Sequence, residues 1–470
     1  MARGKKKESP TPEERLQAAL VPESEQPYKV AENWCWVRVS SVCEFVRGIT
    51  FPASAKEKEP TNTNIPCLRT ANVQDELAID DLIYVDKAYM KGNKAKLVQK
   101  DDIIMSSANS RELVGKTSYV YAVPFPMTFG GFVLTIRAKT IISKYLFYFL
   151  RLEFLSGHFM GESTQTTNIA NINTTKLGEY ALPLPPLAEQ QRIVDRIESL
   201  FAKLDEAKQK VQEALDSFET RKAAILHKAF TGELTAQWRK EHGVGMESWD
   251  RLQWGNFIVS IEAGKNWNAE GRPPRDDEFG VVKVSAVTWG EFNEAESKTC
   301  MVEEQWNENV QIHEGDFLFS RANTLQLVGN CVIVKFISRR LMLSDKILRL
   351  KFDKCVIPEY VLHFTRSDLY RNQIEQLASG NQDGMRNVSQ KNMKLVEFPI
   401  PKLEEQKEIV RILDNLLAKE QQAKEAAEGV LEQIDLIKKA ILARAFRGEL
   451  GTNDPSEESA VELLKALFEA

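Results

Sequence analysis

The residues in this 470-residue sequence with the most evident chemistry are amides, guanidiniums and hydroxyls set in polar loops. In the first half these are Arg69, Asn72, Ser107, Asn109, Arg111, Gln165, Thr167 and Asn168. Arginine pairs with guanine and asparagine or glutamine with adenine, so such a set can read base edges. The second half offers Arg321, Asn323, Asn381, Gln382 and Arg386. A basic stretch (Lys87, Lys91, Lys94, Lys96, Lys100) and the cations Lys265, Arg272 and Arg275 suit phosphates, whose neutralisation gives salt-dependent affinity. Taken singly, each is more simply an exposed loop residue. Their weight comes from repetition: Ser106-x-x-Asn109 returns as Ser320-x-x-Asn323. The amide-rich loop STQTTNIANINTTK, ahead of one proline run, is answered by SGNQDGMRNVSQKN ahead of another.

Catalytic signatures are missing. Ser110–Ser118 (SRELVGKTS) resembles a phosphate-binding loop, but its first glycine position is serine and YVYAV follows where a helix should start. There is no GxGxxG and no adenine-methyltransferase N/D-P-P-Y/F run. Six cysteines without a CxxC pair and five scattered histidines give no metal-ligand spacing; reduced core thiols in a cytoplasm are expected. The aromatics Tyr145, Phe147, Tyr148 and Phe149 fit a core better than a stacking platform. A 43% hydrophobic, 27% charged composition suits a soluble protein with real cores, and the net charge of −5 gives no global nucleic-acid signal. No apolar run approaches membrane-spanning length, and the basic N-terminus lacks an apolar secretory core.

The elements that must position these residues come in two copies. Residues 187–234 return at 403–450, Leu187 mapping to Leu403 at a constant offset of 216. Each copy reads as one long helix, about 66 Å at ~1.5 Å per residue. Apolar steps of four and three (Ile193, Ile197, Leu200, Leu204, Ala207, Val211, Ala214, Phe218, Ile225) make a heptad seam, broken by Arg221. The second seam is broken by Glu420. So narrow a stripe needs a partner, and connectivity makes the two helices an antiparallel coiled-coil pair.

The expected organisation is a disordered tail (1–27) with room for one helical turn at Glu13–Leu20, a first lobe (28–183), helix one (184–234), a linker (235–252), a second lobe (253–399), helix two (400–450) and a C-terminal tail (451–470) with one amphipathic turn pair, VELLKALFEA. Both lobes read as α/β or α+β, with strands at 65–73, 82–85, 103–107, 118–123 and 132–138 and a helix near 143–160 in the first. The whole should be pseudo-twofold, with two readers held apart by a stiff spacer.

The order of variable lobe, P-L-P-P-L-x-E-Q helix, second lobe and second P-x-x-x-E-Q helix, each helix closing in A-F-x-G-E-L, resembles the DNA-specificity subunit of type I restriction–modification systems. The resemblance spans about 30–451 and extends through Leu234-Thr235-Ala236-Gln237-Trp238-Arg239. It implies a non-catalytic target-recognition protein whose lobes each read half of a bipartite target in double-stranded DNA. It implies docking of two adenine-methyltransferase subunits on the helices, with restriction and translocase subunits joining them. S-adenosylmethionine, ATP and magnesium then belong to those partners, and no cofactor, metal or membrane to this chain. The rival reading is a coiled-coil scaffold that bridges two protein partners without touching DNA.

Overall fold

A computed structural model describes residues 10–162, 164–166, 169–380 and 385–469. The chain divides into two units, Met1–Lys210 with Val430–Ala470, and Val211–Gly429. Each contains one lobe and part of both long helices, so the helices are not a body separate from the lobes.

In the first unit an antiparallel sheet runs in the order Cys43–Arg47, Val133–Ala138, Ile103–Ser106, Thr117–Tyr119. Its strand Ile103–Ser106 is buried throughout and apolar in its first three residues because both faces are covered. Ile103 and Met105 enter the core built on the helix Ser143–Leu155, whereas Ile104 faces Leu68, Val120 and Phe129. That is why IIMS reads as a continuous apolar run. A second sheet joins Ile83–Asp86, Asn64–Leu68 and Thr128–Phe129, the last pair parallel. Cys35–Arg38 pairs with Ala181–Leu184, the proline-run strand that feeds the first long helix.

The second unit repeats this order with Ile258–Ala263, Ile347–Phe352, Phe317–Ser320 and Cys331–Ile333. Phe317 and Phe319 face one core and Leu318 another. Phe279–Val282 lies parallel to Arg340–Met342, and Asp250–Gln253 pairs with Glu397–Ile400. The short strand Ala269–Glu270, paired with Ser297–Cys300, is reduced in the first lobe to the single bridge Glu57–Tyr84. The matched glycines Gly48 and Gly264 sit where another strand's backbone crosses. An added Cβ would come within 2.0 Å of the Gly130 carbonyl oxygen or 1.7 Å of that of Leu343, so no side chain fits.

Within the first unit Asp205 meets Lys438 and Lys208 meets Asp435, one number rising by three as the other falls by three. Within the second, Arg221 meets Glu420 and Thr235 meets Glu405. Both sets require antiparallel helices. The charges that interrupt the two seams are each other's partners, with Arg221 Nε 3.0 Å from Glu420 Oε2 and the guanidinium over the Phe218 ring.

Several expectations are corrected. The first long helix is not continuous: Leu187–Asp216 and Phe218–Phe230 are separated at Ser217, whose N–H and hydroxyl both bond the Ala214 carbonyl and tighten the turn. The second, Leu403–Phe446, is unbroken. Residues 10–27 of the supposed disordered tail are ordered. A helix, Pro12–Ala19, is capped by Thr11 and Glu14, and Val21 bonds Trp36 across a backbone bridge. The amphipathic turns expected in the C-terminal tail form a helix, Ala460–Glu469, packed on that N-terminal helix. The expected strand 65–73 stops at Leu68, and the helix near 143–160 breaks at Gly157, whose φ is +77°. Five cysteines are buried and free, and burial pushes the thiols of Cys35, Cys43, Cys67 and Cys331 up to about 12. Cys355 is exposed and not a core thiol.

Candidate nucleic-acid interface

Three segments converge on the SxxN motif of the first lobe. Ala108–Asn109 pairs antiparallel with Ile169–Asn171, the strand that emerges from the amide-rich loop. The Ser107 N–H donates to the Phe132 carbonyl, and the Ser107 carbonyl accepts from the Ile172 N–H. In the second lobe Ala322–Asn323 pairs with Arg386–Asn387, Arg321 N–H donates to Lys346, and the Arg321 carbonyl accepts from Val388 N–H. The two asparagines hold their amide oxygens alike, while Asn109 Nδ2 donates to Ser106 and Asn323 Nδ2 to Thr288. Asn109 Oδ1 accepts from the Ser110 N–H at 2.8 Å and Asn323 Oδ1 from the Thr324 N–H at 2.9 Å. Both asparagines are half-buried on firm backbone. The predicted SxxN segments and amide-rich loops therefore meet, in both lobes, through the same strand pairing.

The remaining predicted residues fall into three groups. Lys91, Lys94, Arg111 and Lys265 are exposed and Arg321 half-buried; none makes an ion pair among the described residues. Lys96 donates to the Arg47 carbonyl, and Arg386, opposite Asn323, donates to the Gly380 carbonyl. Gln165 lies in the strand Thr164–Thr166, while Thr167, Asn168, Asn381 and Gln382 lie outside the described residues.

Three assignments are corrected. Asn72 is 2% exposed and satisfied inside the fold, accepting from Arg69 N–H and donating to the carbonyls of Ala78 and Asp81. It closes a turn and cannot meet a base. Arg69 is engaged with the Asp81 carboxylate at 2.7 Å. Arg272 is forked by Glu278 at 2.6 and 2.7 Å and held by Glu270, and its hydrogen bonds hold the Glu278 carboxyl down at about 2. Arg272, offered for a phosphate, and Arg69, offered for a base edge, are thus both engaged within the fold.

What the sequence did not disclose is how each lobe grips the helices. The glutamines of the repeated E-Q pair are fully buried. Gln190 accepts from Ile142 N–H at 2.9 Å and donates to the Pro185 carbonyl; Gln406 accepts from Ile357 N–H at 3.0 Å and donates to the Pro401 carbonyl. The buried glutamates bind the segment that follows the opposite helix. Glu189 takes Thr452 and Asn453, and Glu405 takes Thr235, Arg239 and Trp249. Phe446 packs on Tyr145 and Phe149, and Phe230 on Tyr360 and Phe364, so these lobe aromatics are core, as their composition suggested. A second missed pair holds each central sheet: Arg137 chelates buried Asp102, and Arg349 binds Asp316 at 2.9 Å. Burial pushes the Asp102 carboxyl up against the pull of Arg137. The recurrence of Asp102 as Asp316 was the available signal, since nothing local marks the arginines.

Among the described residues no group of three or more His, Cys, Asp or Glu could hold a metal ion, and no helix is long and apolar enough to cross a membrane. The family model for the type I restriction modification DNA specificity domain matches residues 31–216 and 282–429, more than half of the chain and both lobes. The chain belongs to the type I DNA-specificity family. The first match ends at Asp216, where the first long helix breaks.

Among curated relatives, the specificity subunit of the type I enzyme EcoKI from Escherichia coli K12 is 28% identical over 436 residues, covering 90% of each chain. That of StySPI from Salmonella potsdam is 25% identical, again over 90% of each. The fold is similar to that of a chain from a type I restriction–modification assembly (TM-score 0.63, 19% identity, 90% of this chain and 100% of that one). It is also similar to the HsdS subunit from Thermoanaerobacter tengcongensis (TM-score 0.54, 18% identity, 91% and 100%). Type I specificity subunits support DNA sequence recognition and are not the catalytic chains of their systems, in keeping with a sequence that carries no catalytic motif. The mixed α/β lobes, present as two family domains, and the two long helices are the architecture of this family.

Proposed function

We propose that each lobe reads one half of a bipartite, gapped DNA target, and that the paired long helices fix the gap and dock two adenine-methyltransferase subunits. Restriction and translocase subunits join that core in the cytoplasm; S-adenosylmethionine, ATP and magnesium reside on the partners, and this chain carries none. One observation carries the reading. The same three-segment constellation around SxxN is built twice, with Asn109 and Asn323 presented on equivalent backbone while their neighbours differ, Phe132 against Lys346 and Ala170 against Arg386. A repeated frame with changed side chains suits two readers of different sequences. Phosphate contacts from exposed lysines position each lobe, and a few base contacts specify. Half-site centres about one helical turn apart, roughly 10–11 bp, suit a reader with two lobes.

The test lengthens the helices. Seven residues inserted after Lys208, with a matching heptad before Asp435, preserve the seam and add about 10.5 Å, or roughly 3 bp of duplex. Selection from a random duplex pool by the complex with methyltransferase subunits should return both half-sequences unchanged with a longer gap. An unchanged gap refutes the ruler. Absence of any sequence preference, with little salt dependence, would favour a scaffold without DNA contact.

A further inference from the structure

A large aromatic side chain is displayed at the edge of the second lobe's SxxN constellation. Trp289 is 76% exposed, although tryptophan is normally among the most buried side chains on average. It does not sit on a loose loop. Ala286 and Val287 before it are fully buried. Asn330 Nδ2 donates to the Thr288 carbonyl at 2.8 Å, Asn323 Nδ2 lies 3.3 Å from Thr288 Oγ1, and Arg366 donates to the Gly290 carbonyl at 2.8 Å. Gly290 turns the chain with φ +88°. Hydrogen bonds on both sides thus hold an indole out in water, and one of them comes from the SxxN asparagine itself.

The first lobe has a turn at the matching place, 214 residues earlier, but closes it differently: Val73 bridges Leu77, and Asn109 Nδ2 bonds Ser106 instead of the turn. There Lys116 donates to the Gln74 side chain at 2.7 Å, Ser118 bonds the Gln74 carbonyl, and Arg151 reaches Asp75 at 3.0 Å. Asp75 occupies the place of Trp289 and is also exposed. The place in the lobe is kept while the bracing and the displayed residue both change, as expected of a position that sets specificity.

Beside the turn lies a pocket of about 310 Å³ lined by Lys222, Gly290, Asn330, Arg366, Asp368 and Arg371 among others. Arg371 is neutralised by Glu375, and Asp368 is a carboxylate at the rim. Lys222 is exposed and without an ion-pair partner among the described residues, while Arg366 donates to the Gly290 carbonyl and feels the carboxylates of Glu291 and Asp414. The pocket suits one anionic group, next to an aromatic face.

We propose that Trp289 is a specificity-determining contact of the second lobe, reading a base of its half-site by apolar contact, and that the adjacent pocket seats a backbone phosphate of the same site through Lys222 and Arg366. Losing the readout of one base pair in a duplex commonly weakens binding about tenfold. The inference rests on the DNA-reading function proposed above.

The experiment uses the full chain in complex with methyltransferase subunits and a randomised duplex pool. Trp289→Ala should lose preference at one or two adjacent positions of one half-site, keep the other half-site intact, and bind the wild-type duplex about tenfold more weakly. Trp289→Phe should restore most of the preference. Lys222→Ala should leave the selected sequence unchanged while reducing the slope of log affinity against log salt by about one. A wild-type complex that selects a gapped sequence, with Trp289→Ala selecting it equally well, overturns this inference alone. A wild-type complex that selects nothing overturns the proposed function and this inference together.

Discussion

The buried latch in the second unit offers a sharp test of how lobe and helix are joined. Arg239 and Glu405 are 7% and 1% exposed and lie 2.6 Å apart, and Glu405 also accepts from Thr235 at 2.7 Å and Trp249 at 3.0 Å. Arg239→Met leaves a carboxylate buried without its cation, a loss of about 3–5 kcal/mol in comparable sites. Thr235 and Trp249 still donate to that carboxylate, so the lower end, about 3 kcal/mol, is expected. With a urea slope of roughly 2–3 kcal/mol per molar, the unfolding midpoint should fall by about 1–1.5 M. Glu405→Gln in the same chain removes the stranded charge while keeping an acceptor for Thr235 and Trp249, so the double variant should be more stable than Arg239→Met alone. The first unit supplies an internal contrast. Arg192, which pairs with the buried Glu189 and with Glu457, is itself 35% exposed, so water can take the place of its guanidinium, and Arg192→Met should cost less than Arg239→Met. Urea titrations followed by tryptophan fluorescence decide the matter. Equal losses for the two arginine variants, or a double variant no better than Arg239→Met, would refute the reasoning.

Three further outcomes follow from the same contacts. Burial lowers the pKa of His363 below its ordinary 6.5, with Asp414 at 2.9 Å pulling the other way. Below pH 6.5 the unfolded chain binds this proton more readily than the folded one, so stability is present above that pH and lost as pH falls beneath it. His363→Gln should flatten the urea midpoint between pH 7.5 and 5.5, and equal slopes for the two proteins would count against it. Phe446→Ala empties a socket lined by Tyr145 and Phe149 and should destabilise the first unit by about 3–5 kcal/mol in a thermal or urea titration. Arg321→Ala should relax the half-site read by the second lobe and spare the other, as selected-sequence logos would show; equal loss at both halves would mean a folding defect.

How much of this was legible in the sequence depended on whether the signal was periodic or solitary. The long helices announced themselves through repeated apolar steps, and the central strands through IIMS and FLFS, because a sheet covered on both faces has no polar side to show. Ser217 gave no warning, since one serine in near-helical geometry barely differs from its neighbours in composition. Arg221 and Glu420 were visible as exceptions, but only an antiparallel register makes them partners. Asn72 misled because polarity suggests the surface, whereas its amide closes a buried turn around Arg69. Trp289 went unnoticed because tryptophan usually signals a core, and its display depends on bonds from residues 34 to 77 positions away. The SxxN motif, found by recurrence alone, turned out to be where three strands' worth of distant chain meet.

The shared make-up of the first unit has a consequence for synthesis. Its core, which includes Tyr145 and Phe149, is closed by Leu442, Ala445 and Phe446, and its N-terminal helix packs on the last helix of the chain. A ribosome adding about 5–20 residues per second needs roughly 10–50 s to travel from residue 210 to residue 446. For that interval the first-made lobe has its aromatic socket open to water, while the second unit can close as soon as residue 429 has emerged. The half translated first is therefore the half finished last, and a nascent chain of this kind depends on whatever shields an unfilled apolar surface until the final helix arrives.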